Sequence, residues 1–199
     1  SDPDWLNRLL NLIHQNQTEI FDEKVLYTNA TGLYNHPSLI DQLARTNFDR
    51  LEISRCHFND EINQKIMYFN RNEPVYQNSN YEKLILQIGN IFHIKNSCIL
   101  TQIGINSIEK IEKYLEWKIG LGVKEVVFRE LSKVGNAYVN NSTKRWIDVN
   151  KVVIDPILKT VIPTYNSLKP NWEYTHSKTG YYYYNECYQY KGQITVTLE

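Results

Sequence analysis

The sequence predicts an α/β fold with parallel strands, followed by a small antiparallel β extension at its C-terminal end. Short runs of β-branched and aromatic residues alternate with stretches whose apolar residues recur at spacings of three and four. Helix-length segments, not tight turns, separate those runs up to Glu130, which argues for parallel strands joined by right-handed crossovers. From Trp172 the chain reads WEYTHSKTGYYYYNECYQYKGQITVTLE, where Gly180 and Gly192 punctuate three runs of β-forming residues, the pattern of an antiparallel meander. An open sheet and part of a barrel both satisfy the alternation.

Trp5, Leu6, Leu9, Leu10, Leu12 and Ile13 form an apolar helical stripe, with Asp2 or Asp4 placed to cap it and Pro3 in the first turn. Residues 24–27 (KVLY) read as a short buried strand that runs into TNATG, a polar loop ending in glycine. A helix over 37–44 turns Leu39, Ile40 and Leu43 inward. The strand 49–54 (DRLEIS) delivers Ser54, Arg55, Cys56 and His57 to its carboxyl end. A helix over 59–69 carries Ile62, Ile66 and Phe69. Residues 70–80, with Pro74 and four asparagines, read as a loop. A helix over 81–89 and a strand over 92–101 follow, the strand interrupted by a polar patch at 93–97. Asn106 or Ser107 then caps a helix with Glu109 and Lys110 in its first turn and Ile108, Ile111, Leu115 and Ile119 on one face. Gly120 and Gly122 stop it, and 124–128 (KEVVF) is a strand ending in Arg129 and Glu130. Residues 138–163 hold one irregular helix or two short ones ended by Pro163, and 165–170 form a linker. A boundary near 136–142 divides the chain into a barrel-like part, 1–138, and an extension, 139–199.

Composition narrows the function. Lysine and arginine number 22 and so do aspartate and glutamate, so the net charge of zero argues against non-specific binding of nucleic acid. No apolar run has the length of a membrane span, and SDPDWLNRLL is not a signal peptide. The start without methionine, directly in an amphipathic helix, is expected of a segment inside a longer protein. Three cysteines, Cys56, Cys98 and Cys187, stand far apart with no metal-binding spacing, which fits a reduced, cytoplasmic setting.

In parallel sheets ligands meet the carboxyl ends of strands. Thr28 and Asn29 offer hydrogen bonds there, although a single glycine makes TNATG neither a P-loop nor a dinucleotide fingerprint. Ser54 and Arg55 are candidate ligand contacts, Arg55 being suited to a carboxylate. Cys56 and His57 are neighbours on a strand end and therefore point to opposite faces, which argues against a Cys–His nucleophile. Five histidines show no His-x3-His or His-Glu-x2-His spacing. Residues 181–184, four tyrosines, read as strand packing first and as an aromatic binding surface second.

The order of DPDWLNRLL, VLYTNATGL, NFDRLEISRCHFNDEINQKI, ILTQIGINSIEKIEKYLEW and GVKEVVFRELSKVG resembles the radical S-adenosylmethionine (SAM) superfamily, in the part downstream of its cluster-binding loop. The resemblance implies a partial (β/α) barrel of TIM type whose strand ends hold SAM beside a 4Fe–4S cluster. Position by position, it implies Thr28 and Asn29 near the methionyl or ribose part, and Ser54 with Arg55 at ribose or carboxylate. It places Gln102, Asn106 and the residues between them along the adenine side, and Phe128, Arg129 and Glu130 at the border of adenine and substrate. Ala30 stands where the family often has glycine.

The family's Cys-x3-Cys-x2-Cys loop is absent from the sequence, as is its Gly-Gly-Glu segment. The expectation is therefore a fragment of a radical SAM enzyme. In the full-length protein it would bind SAM and the cluster to generate a 5′-deoxyadenosyl radical; by itself it would be inactive, hold no metal and bind neither cofactor fully. The substrate is not specified by these residues. The rival is a non-catalytic module using the Tyr-rich meander to hold a peptide or protein, and a third reading is an unrelated α/β enzyme with Arg129 and Glu130 as acid–base groups. An exposed sheet edge is expected to favour a homodimer.

Overall fold

The computed structural model describes residues 3–16, 21–70, 72–132, 141–162, 169–180 and 184–199. Along the chain come α1 (Pro3–Gln15), β1 (Val25–Thr28), α2 (Thr31–Asn35), α3 (Ser38–Arg45), β2 (Arg50–Ser54), α4 (Asp60–Met67) and α5 (Asn78–Ile88). They are followed by β3 (His93–Ile99), α6 (Ile108–Gly120), β4 (Glu125–Arg129), α7 (Ser142–Asn150), α8 (Asp155–Val161), β5 (Trp172–Thr179), β6 (Tyr184–Tyr190) and β7 (Ile194–Leu198). One sheet of seven strands has the order β1-β2-β3-β4-β7-β6-β5. Neighbours from β1 to β4, and β4 with β7, are parallel, whereas β6 is antiparallel to both β7 and β5. The chain is thus a mixed α/β fold with mostly parallel strands and antiparallel C-terminal ones, and the meander extends the same sheet from β4. Most of the expected boundary, most of the linker, Pro163 and residues 181–183 lie outside the described residues.

Several expected boundaries move for local reasons. The loop over 70–80 holds a 3-10 turn at Pro74–Tyr76, and α5 begins at Asn78, whose backbone N–H donates to Asp60 Oδ1 at 2.6 Å. The polar patch at 93–97 does not interrupt β3. Its side chains alternate, so the strand continues with His93, Lys95 and Ser97 on one face and Ile94 and the buried Asn96, bonded to Tyr81 Oη, on the other. Among the described residues between β4 and β5 there are two short helices, and Glu130 ties the second: its Oε1 accepts from the Ile154 N–H at 2.5 Å, just before α8. Ser107, not Asn106, caps α6, accepting from the Lys110 N–H at 3.5 Å, and Gly122 takes φ 74° just past its end.

All the apolar stripes meet on one side of the sheet. By register Leu51 stands beside Ile94, Cys98 beside Phe128, and Val126 beside Val196, and these join Leu10, Leu33, Leu39, Leu43, Ile85, Ile111, Leu115 and Ile157 in one buried cluster. Burying each such side chain contributes ~1.5–3 kcal/mol.

The α6 stripe contains a residue that its apolar spacing did not reveal. Lys118 is fully buried, with its Nζ 2.9 Å from Tyr81 Oη and 3.6 Å from the centre of the Trp117 ring. The rings of Tyr81 and Tyr114 also face it, at 4.3 and 4.9 Å. Burial, and then repulsion from Arg55, hold its amine well below the ordinary lysine pKa. The unfolded chain therefore binds a proton more readily than the native one, so this residue makes stability fall as pH drops below about 10. Lys118→Met is expected to raise the melting temperature at pH 7 and to flatten that fall; melting curves across pH, followed by circular dichroism, read both, and an unchanged pH slope would refute the buried-amine account.

Candidate functional site

The alternation that turns Leu51, Ile53, Val126 and Phe128 toward the helices turns their neighbours to the opposite face. Register sets these neighbours in rows. Tyr27, Glu52, Lys95, Glu125, Thr195 and Gln189 cross the middle of the sheet. Ser54, Ser97, Val127, Thr197 and Cys187 lie one step nearer the carboxyl ends, and Ile99 and Arg129 one step further. None of them belongs to the apolar cluster. Parallel strands covered on both faces read as continuous apolar runs; RLEIS and HIKNSCI instead place polar residues on this face at 50, 52, 54, 93, 95 and 97, and EVVFR at 125 and 129 around Val127, so this face is largely polar.

Arg129 is the hub of the face. Its Nη1 donates to Glu52 Oε1 at 2.7 Å and to Ser97 Oγ at 2.9 Å, and its Nε donates to Glu199 Oε2 at 2.8 Å. Burial opposes its charge, but the hydrogen bonds to Glu199 and Glu52 carry its pKa above the ordinary arginine value. The side chain of Glu52 is only 2 % exposed, that of Arg129 33 %. Beside this hub, Glu125 accepts from Lys95 Nζ at 2.7 Å and meets His93 Nε2 at 3.2 Å. Burial works against its charge, yet Lys95 and His93 hold its carboxyl below the usual range.

At the carboxyl end of β1, Thr28 Oγ1 accepts from the Ala30 N–H and Asn29 Oδ1 from the Thr31 N–H, each at 3.1 Å. Ala30 takes φ 73°, so alanine here adopts the left-handed conformation that glycine enters without strain. A cleft of about 390 Å³ opens alongside, lined by Trp5, Leu6, Leu26, Tyr27, Thr28 and Asn29 among others. The Thr31 hydroxyl is buried with no hydrogen-bond partner among the described residues, leaving an unused polar atom at this strand end.

No family model matches the chain, and no curated protein matches it. Among solved structures it is similar to the radical S-adenosylmethionine methyltransferase TsrM from Kitasatospora setae, with tryptophan substrate and a SAM analog (aza-SAM) bound. Identity is 12%, the match covers 62% of this chain and 24% of that one, and the TM-score is 0.43. At those values the likeness carries no argument about what this chain does.

The residues singled out from sequence divide into three groups. Ser54 and Arg129 share the polar face, and Asn29 sits at its β1 end. Gln102, Asn106 and Glu130 brace the chain above the strands: Gln102 Nε2 donates to Lys151 O at 3.2 Å, Asn106 Nδ2 to Gln102 O at 3.0 Å, and Glu130 pairs with Lys151 at 3.5 Å. Thr28, Arg55 and Phe128 turn to the helix side. Arg55, expected at a ligand, is fully buried: Nε and Nη2 donate to Asn78 Oδ1, Nη1 to Val75 O and Nη2 to Tyr76 O, all at 2.8 Å or less. Phe128, expected beside adenine, is fully buried and stacks edge-on with Tyr114. Both corrections have one cause: strand alternation put these side chains on the covered face.

Cys56 and His57, just past the end of β2, are both buried. Burial pushes the Cys56 thiol up. His57 Nδ1 accepts from the Asn59 N–H at 2.9 Å, and burial with Lys110 and Lys113 lowers its pKa to about 4. The cysteines are free and buried, and no group of three metal-binding side chains occurs among the described residues, so these residues do not fit a 4Fe–4S cluster. Glu52, Ser97, Lys95 and Glu125 escaped the sequence reading; their shared signal is a polar residue inside a short β run, recurring on strand after strand.

Arg129→Ala leaves the Glu52 carboxylate buried without its partner and is expected to cost about 3 kcal/mol. Arg129→Met combined with Glu52→Gln restores most of that loss. Urea denaturation of both variants measures the coupling, and equal losses in the two would refute it.

Proposed function

We propose that this chain is the cofactor-binding and substrate-facing part of a radical SAM enzyme: a partial (β/α) barrel of TIM type that binds and orients SAM but does not cleave it alone. The observation that carries the reading is the winding. β1, β2, β3 and β4 lie side by side in chain order, and the helices between them pack on one face only. A doubly wound sheet reverses its strand order and covers both faces, whereas a barrel advances one way, with helices outside and functional groups at the carboxyl ends. The polar inner face, centred on Arg129, agrees with the second plan.

Within this reading Arg129 faces the carboxylate of the cofactor's methionyl part, a pairing suited to a guanidinium. Ser54 and Asn29 present hydroxyl and amide groups to the ribose. Arg55 and Phe128 act behind the site, fixing the ends of β2 and β4. SAM supplies, when bound, an adenosyl group that an external electron releases, and the cysteines required for the electron-donating cluster belong to a part of the enzyme other than this chain. A second reading, a peptide-binding module, draws on the exposed Tyr174 and Tyr184 of the β5–β6 hairpin.

Titrating SAM into the isotope-labelled chain distinguishes the two. Weak binding is expected to shift the amide signals of Asn29, Ser54 and Arg129, and Ser54→Ala is expected to weaken it about fivefold, the loss of ~1 kcal/mol for one hydrogen bond. Absent shifts, or shifts confined to the β5–β6 hairpin, would overturn the cofactor reading.

A further inference from the structure

Rings of the C-terminal strands make a chain of contacts from the core to the surface. Trp172 packs edge-on against Tyr188 at 5.8 Å and lies 5.2 Å from Tyr190. Tyr188 in turn meets Tyr174, its partner across β5 and β6, at 5.8 Å. Tyr188 is fully buried in the helix-side cluster, whereas Tyr174 is 46% exposed. Packing explains the ring contacts, but not the polar atoms that accompany them.

Those atoms form a network around Glu186. Its Oε2 accepts from the Tyr188 hydroxyl, and its Oε1 from the Tyr184 hydroxyl at 3.0 Å. The Tyr184 hydroxyl also meets Ser177 Oγ at 3.2 Å, and Ser177 Oγ meets the Tyr174 hydroxyl at 2.7 Å. Two other carboxylates serve this cluster, Glu112 at the Trp172 indole N–H and Glu116 at the Tyr190 hydroxyl, and each has a lysine at 2.5 Å. Glu186 forms no ion pair among the described residues, so its charge stays uncompensated beside a buried phenol. The other fully buried tyrosines are placed differently. The Arg55 guanidinium lies 4.7 Å from the centre of the Tyr81 ring, and Tyr114 donates to a backbone carbonyl, Arg55 O, at 2.5 Å. A cation beside a ring opposes the loss of an electron from it, and a carboxylate favours that loss. Losing an electron also makes the phenolic proton strongly acidic, and a base already in hydrogen-bond contact takes it without rearrangement.

We propose that Tyr188 is a redox-active tyrosine, with Glu186 as its proton acceptor and Tyr174 as the surface ring through which a one-electron oxidant reaches it. The oxidant takes one electron from Tyr174, and one electron from Tyr188 refills that ring. As it does so the Tyr188 O–H bond breaks and the proton passes to Glu186 Oε2, leaving a neutral tyrosyl radical beside a neutral carboxylic acid. Burial keeps this radical away from solvent and from other radicals. One electron from a reductant, with the proton returned by Glu186, restores the starting state. Before oxidation the phenol keeps its proton, because burial and the Glu186 carboxylate push its pKa up. The proposal is independent of the cofactor reading, and all its residues lie within β5 and β6.

Flash photolysis with tris(bipyridine)ruthenium and persulfate, which supplies a one-electron oxidant in solution, tests it. The native chain is expected to give a tyrosyl radical, read by absorption and electron paramagnetic resonance, that outlives the radical of free tyrosine. Tyr188→Phe is expected to lose the long-lived signal while keeping the circular-dichroism spectrum. Glu186→Gln is expected to slow its formation about a hundredfold, the low end for a positioned proton acceptor, and Tyr174→Phe is expected to slow it as well. Tyr184→Phe leaves Tyr188 its acceptor and is expected to retain the signal. A long-lived radical that survives Tyr188→Phe, or one lost in Tyr184→Phe, overturns the proposal. So does undiminished formation in Glu186→Gln or Tyr174→Phe, or a native chain that yields only short-lived radicals.

Discussion

The crossovers that link β1, β2, β3 and β4 land their helices on the same side of the sheet, and that constraint governs the rest of the molecule. One face must be apolar enough to accept α1 to α6 and α8, and the other is released from that demand. Leu51, Ile53, Val126 and Phe128 answer the first requirement, while Glu52, Lys95, Ser97, Glu125 and Arg129 occupy the face that is free of it. A polar residue in the middle of a parallel strand is tolerable here because partners from neighbouring strands reach it. Arg129 does this for Glu52 from two strands away.

The same constraint explains how two adjacent residues come to have unrelated work. Ser54 and Arg55 follow one another at the end of β2, but one belongs to the polar face and the other is drawn into the helix layer. There the Arg55 guanidinium is satisfied by two backbone carbonyls and the Asn78 side chain, and it lies 4.7 Å from the centre of the Tyr81 ring. The Lys118 amine lies 4.3 Å from the centre of the same ring. Lysine and arginine are almost never fully buried unless paired; here aromatic faces and carbonyl oxygens supplement the one carboxylate in reach, Asp60 Oδ1 at 4.0 Å from Arg55 Nη2. Arg129 and Glu130 divide in the same way, one into the polar face and the other toward the start of α8.

Much of the architecture was legible in the sequence, because apolar periodicity and the lengths between β runs report local structure and crossover type. The helices α1, α3, α4 and α6 and the four parallel strands follow their patterns within a few residues. The site was legible only in outline. Asn29, Ser54 and Arg129 could be placed at strand ends, but which face each side chain joins depends on register. The sequence also offered no reason to group Glu52, Ser97, Arg129 and Glu199, the farthest of which are separated by 147 positions in the chain.

By itself, then, the sequence determined the alternation of strand and helix, a cap at Asn106 or Ser107 and a stop at Gly120 and Gly122 for the helix between them, and the even balance of charge. These depend on residues a few positions apart, whose interactions are already present in a local segment. Tertiary structure alone decided that β7 returns beside β4, that Arg55 and Lys118 are buried, and that Arg129 gathers two carboxylates and a hydroxyl on one face. Each of those outcomes requires strands distant in the chain to be in register, and register is fixed only when the whole apolar face closes against its helices.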